Sequence, residues 1–332
     1  SKTLRKSFRT GSDAVLDVIN KYGDVHITQS KTDSVTVRVE ITASSNSGDR
    51  IDAMMSDVDV TISMTGETIR AETSFRKGIT PLFESLKGLT KNLINFDSRM
   101  KIDYFVECPP NTVLRITNSY GDVYIGDEVR VLALKLSNGN LDAAAVGIAE
   151  MMELTFSKAN VRSIREGKVT LSFSELRTRE TGTIKLATVS SKAWIDVCGT
   201  IDLDSKRDDL HFGTVGVLTG TSYFSDIITD RLTGEINMSV KYGNLSFETI
   251  ERGFRMIDIK SSYADLDLVL EERSAYDLEI RHANAFVSLP GITPEPERTE
   301  ISAQDKLFMT KGSVGSGPNR SPVRIDATRG EI

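Results

Sequence analysis

One short phrase recurs in this chain: "NKYGDVHI" at residues 20–27, "NSYGDVYI" at 118–125 and "VKYGNLSF" at 240–247. Around it apolar residues alternate, meet a small residue followed by Asp or Asn, and alternate again. The template reads Leu16, Val18, Tyr22, Gly23, Asp24, Val25, Ile27, and then Leu114, Ile116, Tyr120, Gly121, Asp122, Val123, Ile125. It continues as Leu134, Leu136, Gly139, Asn140, Leu141 and as Leu154, Phe156, Ala159, Asn160, Val161. Further on come Met238, Val240, Tyr242, Gly243, Asn244, Leu245, Phe247, and Ile257, Ile259, Tyr263, Ala264, Asp265, Leu266, Leu268. The last clear copy is Leu278, Ile280, His282, Ala283, Asn284, Ala285, Val287. Ala159 and Gly243 are 84 positions apart, which fits five steps of about 17, and weaker copies such as "LSFSELRTR" and "IDLDSKRDDLHF" lie in the interval.

Alternation with period two marks each arm as a β-strand with one buried face. The central small residue and its acid or amide predict a corner. Glycine reaches positive φ without a Cβ penalty, and Asp or Asn can bond the turning backbone. Strand, corner, strand, repeated every 16 to 21 residues, predicts an all-β fold: a single-chain β-solenoid of about ten coils. Ordering one such coil alone costs more than its few buried side chains return, so coils are stable only when stacked.

The first two phrases are separated by an insert of different character. "SVTVRVEITA", "DVTISM", "TIRAETSF" and "KIDYFVEC" read as strands, "DRIDAMMSDVDV" as a short helix, and residues 81–96 as a second, amphipathic helix. The expected organisation is one elongated domain over 1–332. In it, residues 28–107 form a capping insert that shields a sheet edge, and 108–332 form the coils. "GSVGSGPNRSP" reads as a flexible link, and "VRIDATRGEI" as one more coil or a closing strand.

Composition removes several classes of function. The 41 basic and 47 acidic residues, net charge −6, are spread along the chain, which argues against a nucleic-acid partner. No window approaches the roughly 18 apolar residues of a membrane helix. The start at Ser1 without Met suggests a trimmed product. Cys108 and Cys198 lack metal or redox spacing and read as buried thiols, a disulfide between them being geometrically doubtful.

"KYGDVHI" (21–27), "VTVRVEI" (35–41), "DRIDAMMSDVDV" (49–60), "ETIRAET" (67–73), "VECPPNTVLRITNSYGDVYIG" (106–126) and "LSNGNLDA" (136–143) together resemble the bacterial DUF4097/DUF2807 "putative adhesin" group of β-solenoid proteins. The resemblance covers nearly the whole chain. It implies a periplasmic, cell-surface or secreted bacterial protein, and it transfers no catalytic residues. The segment 76–99 is longer than the group's pattern.

Three sets of residues are candidates for a site. Tyr22, Tyr120, Tyr242 and Tyr263 share one template slot and should form a column that either stacks against sugar rings or packs on itself. Beside it, Asp24, Asp122, Asn140, Asn160, Asn244, Asp265 and Asn284 could supply oxygen ligands to Ca²⁺, but one per coil is a thin shell and turn chemistry accounts for them. Asp204, Lys206, Arg207, Asp208, Asp209 and His211 crowd onto one coil, as an acid–base pair of a polysaccharide lyase or hydrolase would, or as a solvated turn. His26, His211 and His282 have no metal-ligand spacing, and neither a cofactor nor a metal is expected. The expected function is a non-catalytic envelope or secreted binding module, adhesin-like, whose partner is a glycan or another envelope protein. The alternative is a carbohydrate-active β-helix enzyme.

Overall fold

The computed structural model describes residues 1–11, 13–76, 99–292, 294–316 and 319–332. Among them one helix, α1 (Gly48–Asp57), accompanies twenty strands, so the chain is all-β. The helix expected at 81–96 lies outside the described residues. The chain divides into two compact units, Ser1–Val161 and Arg162–Ile332.

In the first unit, each coil has two arms joined by a corner. The first arms are β2 (Val15–Lys21), β8 (Val113–Ser119) and β10 (Val129–Ser137), and β10 in turn lies beside the later half of β11 (Asn140–Thr155). They run parallel and in register, Leu16 beside Leu114 and Leu114 beside Leu132. The second arms are β3 (Val25–Gln29), β9 (Val123–Ile125) and the start of β11, again parallel. Alternate residues of each arm point inward. Leu16, Val18, Val25, Ile27, Leu114, Ile116, Val123 and Ile125 are all buried, as period two requires.

The insert extends both ladders. β6 (Thr68–Phe75) pairs parallel with β2, and β7 (Arg99–Cys108) pairs parallel with β3. Beyond them the direction reverses: β5 (Val58–Thr65) is antiparallel to β6, β4 (Ser34–Ser44) to β7, and β1 (Lys2–Arg9) to β4. The outermost strand β1 carries Lys2, Arg5, Lys6 and Arg9, charges of the kind that discourage further strand addition. Lys6 also donates from Nζ to the Ile62 carbonyl of β5 at 2.6 Å.

The second unit continues the pattern with longer strands that run through their corners. β13 (Glu175–Val189), β14 (Lys192–Lys206), β15 (Asp209–Ile250) and β16 (Met256–Leu270) stack parallel. The next coil in space is not the next in sequence. β20 (Ser321–Glu331) inserts between β16 and β17 (Tyr276–Phe286), parallel to both. β19 (Leu307–Val314) and β18 (Glu297–Ser302) then add antiparallel strands beyond β17. "VRIDATRGEI" is thus a coil strand, and Gly312, Ser313 and Val314 of the expected link belong to β19.

The corner differs from the expected one. Positive φ falls on the residue before the template's small position, although Gly243 (137°) and Gly330 (109°) take it as well: Tyr22 (65°), Tyr120 (60°), Asn138 (55°) and Phe156 (50°) in the first unit. In the second unit it is Phe173, Ser190, Arg207, Phe224, Tyr242, Tyr263, Asn284 and Arg329, at 50° to 60°. Glycine follows for a steric reason. A Cβ on Gly23 would stand 1.9 Å from the Ile102 carbonyl oxygen, and one on Gly139 would stand 2.0 Å from that of Gly121.

Two copies of the template are therefore shifted. Ser137 pairs with Thr155, which puts Phe156, three residues before the Ala159 of the template, at the corner beside Asn138. Ala283 pairs with Thr328, which makes Asn284 the corner of β17 and turns His282 inward, 1% exposed against Phe308. Phe156 misled the periodic reading because its left-handed backbone aims an apolar side chain outward, 58% exposed.

Candidate functional site

The corner residues form columns within each unit. Tyr22 stacks on Tyr120 with ring centroids 5.5 Å apart and planes 18° apart. In the second unit Phe224 stacks on Tyr242 at 4.7 Å and 11°, and Tyr242 meets Tyr263 at 5.2 Å and 32°. The Arg329 guanidinium lies 4.8 Å from the Tyr263 ring and donates to its hydroxyl. Lys241 projects over Tyr223 and Tyr242. The rings thus turn their faces to their neighbours and their edges to solvent. The result is a half-exposed ridge, with Phe224 52% and Tyr263 43% exposed.

The acid and amide column secures the backbone. Asp24 Oδ1 accepts from the Asp122 amide at 2.9 Å, and Asp122 Oδ1 accepts from the Asn140 amide at 2.7 Å. One strand further out, Asp103 Oδ1 accepts from the Asp24 amide at 2.8 Å. Asp265 does the same for Glu331, and Asn244 donates to Asp226. Lys101 binds Asp24 at 2.8 Å and Asp103 at 3.1 Å. Burial opposes ionisation of Asp24, but the Lys101 and Asp122 hydrogen bonds outweigh it and hold its carboxyl below the usual range. These oxygens are occupied by donors. Among the described residues no group of three or more His, Cys, Asp or Glu side chains is arranged to hold a metal ion. Asn160 and Asn284 fall outside this column, because their coils are framed differently.

Behind the corner runs a buried polar set that the periodic reading overlooked. Asn20 donates to the Gly23 and Ile102 carbonyls at 3.1 and 3.0 Å, and Asn118 to those of Gly23 and Gly121 at 3.1 and 2.9 Å. This explains the Asn that opens two of the three phrases. In the second unit Ser174, Ser191, Asp208 and Ser225 take the place of glycine. The Ser174 amide donates to Ser191 Oγ at 3.1 Å, the Ser191 amide to Asp208 at 2.7 Å, and the Asp208 amide to Ser225 Oγ at 3.1 Å.

The charged cluster at 204–211 is correspondingly dispersed. Asp208, expected in a solvated turn, is 5% exposed and accepts from Thr188, Ser205 and the Lys206 amide at 2.6 to 2.7 Å besides Ser191. Arg207 is a corner residue, Asp209 pairs with Lys192 at 3.0 Å, and Asp204 accepts a 3.4 Å bond from Thr221. Only His211 points to a neighbouring coil's acid, with Nε2 2.6 Å from Asp230 Oδ1. The carboxylates 204, 208 and 209 do not converge.

No protein-family model and no curated protein matches the chain. Among solved structures it is similar to a "putative adhesin" from Bacteroides fragilis, 15% identical with TM-score 0.30 over 100% of this chain and 97% of that one. It is also similar to a "putative cell adhesion protein" from Clostridium sporogenes, 11% identical, TM-score 0.23, over 100% and 98%. A "putative adhesin" from Parabacteroides distasonis is 13% identical, TM-score 0.34, over 81% and 94%. At such scores the likenesses carry nothing about function, and the solenoid rests on the chain's own registers.

His26 lies between Phe105 at 4.9 Å and Tyr124 at 4.8 Å, with the Arg38 guanidinium 4.1 Å beyond Phe105. These four side chains occupy in-register positions of β4, β7, β3 and β9 and form a second ladder on the outer face of the first unit. The sequence held a signal for it: an aromatic or imidazole ring recurs two residues after the Asp of Tyr22-Gly23-Asp24 and Tyr120-Gly121-Asp122. No helix of the described residues is long and apolar enough to cross a membrane.

Proposed function

We propose that the chain is a non-catalytic, adhesin-like binding module working outside the cytoplasm, and that it engages an extended glycan or an envelope protein along its aromatic corners. The observation that supports this is the ridge of Phe224, Tyr242, Tyr263 and Arg329, flanked by Tyr223 and Lys241. Left-handed corners project these side chains from the body, and mutual stacking fixes their rotamers. A surface already ordered loses little entropy on binding, and Tyr and Arg dominate binding energy at interfaces. Ring edges, hydroxyls and cations suit a polar, elongated partner that runs along the coils. Tyr22 and Tyr120, with Lys21 over both rings, are the matching pair on the first unit.

The test is Tyr242→Ala with Tyr263→Ala, assayed on a glycan array and by pull-down from envelope fractions. Binding that persists at wild-type strength in a folded double variant refutes the ridge. A second reading, a carbohydrate-active enzyme, is favoured by the His211–Asp230 contact alone. It requires new reducing or unsaturated ends after prolonged incubation with polysaccharide, lost in Asp230→Asn.

A further inference from the structure

A groove of about 550 Å³ is cut into the second arms of the second unit, away from the aromatic ridge. Trp194 and Asp196 come from one pass of the chain, His211 from the next, Asp230 and Arg231 from a third, and Glu248 from a fourth. We propose that this groove binds a segment of a polysaccharide bearing free amino groups. The proposal goes beyond the ridge and stands or falls separately from it.

Three observations converge on that ligand. The first is concavity, because a recess of this size spread over four coils suits an elongated guest more than a compact one. Three spacings of about 4.8 Å give it a reach of roughly 14 Å.

The second observation is charge. Asp196, Asp230 and Glu248 place three carboxylates in the lining; Asp230 is in contact with His211 Nε2 at 2.6 Å, and the Arg231 cation is paired with Glu251 at 2.8 Å. Among the described residues neither Asp196 nor Glu248 belongs to an ion pair. The recess therefore attracts ammonium groups and repels uronic, sulfated or phosphorylated chains.

The third is the aromatic wall. The Arg177 guanidinium packs 4.6 Å from the Trp194 ring and pins it at the groove. A fixed indole provides flat apolar contact for the carbon face of a sugar ring, and the acids alongside provide acceptors for its hydroxyl and ammonium groups. The acids stand on the first, third and fourth of these passes. A basic peptide would satisfy them but has no flat ring face to set against Trp194, which favours the sugar chain.

Trp194 is the one tryptophan of the chain, so its fluorescence reports on the groove directly. The full chain is titrated with a glucosamine hexamer, cellohexaose, hexalysine and polygalacturonate, with circular dichroism verifying the fold of each variant. The expected result is a saturable change in emission with the glucosamine hexamer. Binding should weaken with salt and be about tenfold or more weaker in the Asp196→Asn, Glu248→Gln double variant. Cellohexaose should bind more weakly and polygalacturonate not at all. The Tyr242→Ala, Tyr263→Ala chain should keep the response, which separates failure of the groove from failure of the ridge. No response at millimolar hexamer, equal binding of cellohexaose or hexalysine, or no loss in the double variant overturns the proposal.

Discussion

Gly121 packs so tightly against Gly23 that a Cβ built on it would stand 1.9 Å from the Gly23 carbonyl oxygen. The corner glycine is thus required by the neighbouring coil's backbone rather than by its own torsion. Gly121→Ala should lower stability by about 3 kcal/mol or more, seen as an earlier urea midpoint. Gly126→Ala, whose nearest neighbours would lie at 3.9 and 4.0 Å, should stay within about 0.5 kcal/mol.

The residue just before that position carries the torsional strain. Ser190 sits at φ 50°, where a Cβ costs roughly 1–2 kcal/mol. Replacing it with Gly removes that cost but increases the freedom of the unfolded chain by about 0.5–1 kcal/mol. Ser190→Gly should therefore stabilise by a net ~0.5–1 kcal/mol, a rise in melting temperature readable by calorimetry.

Asp208 is a buried carboxylate held by two backbone amides and two hydroxyls. Asp208→Ala leaves these donors unsatisfied and should cost about 3 kcal/mol or more. Asp208→Asn retains part of the accepting capacity and should cost less. Chemical denaturation of both variants ranks them, and equal midpoints would contradict the network.

Titration gives two limits to the pH range of stability. Burial pushes the Cys108 and Cys198 thiols up to about 11 from 9. The folded chain keeps these protons while the unfolded chain releases them from about pH 9. Their contribution is complete below that value and is lost as pH rises toward 11. His282 is shifted the other way, its pKa lowered by burial and then by the Arg298 charge. The unfolded imidazole binds a proton near its ordinary 6.5 while the folded one resists, so stability falls as pH drops below about 6.5. Melting temperatures from pH 5 to 10.5 should show both declines, with His282→Gln flattening the acid limb and the two Cys→Ser changes the alkaline one. Both thiols should also resist iodoacetamide at pH 8 until the chain is unfolded.

Much of this architecture is legible in the sequence. Alternation located the arms of the coils and the strands of the insert, because one-sided burial writes itself into period two, and α1 (Gly48–Asp57) overlaps the first nine residues of "DRIDAMMSDVDV". The corners were only partly legible. Positive φ falls on Tyr, Phe, Ser, Arg and Asn alike, so residue type does not mark it, and the Gly that draws attention is one place too late. At Phe156 and Asn284 the frame slipped for that reason. Site residues were the least legible, because columns join positions 17 or more residues apart. Trp194 meets Arg177, and His211 meets Asp230, only through stacking, and Asp208 looks like a surface acid until the hydroxyls of Thr188 and Ser205 are brought around it.

The insertion of β20 between β16 and β17 has a temporal consequence for biosynthesis. During translation β16 and β17 leave the ribosome first, and each must hold open an edge for a partner made some forty residues after β17. Consecutive coils can zip up as they are made, but this one waits. β20 acts as a keystone, and a nascent chain arrested before it would expose two unmatched edges, an invitation to chaperones or to the same segment of another molecule.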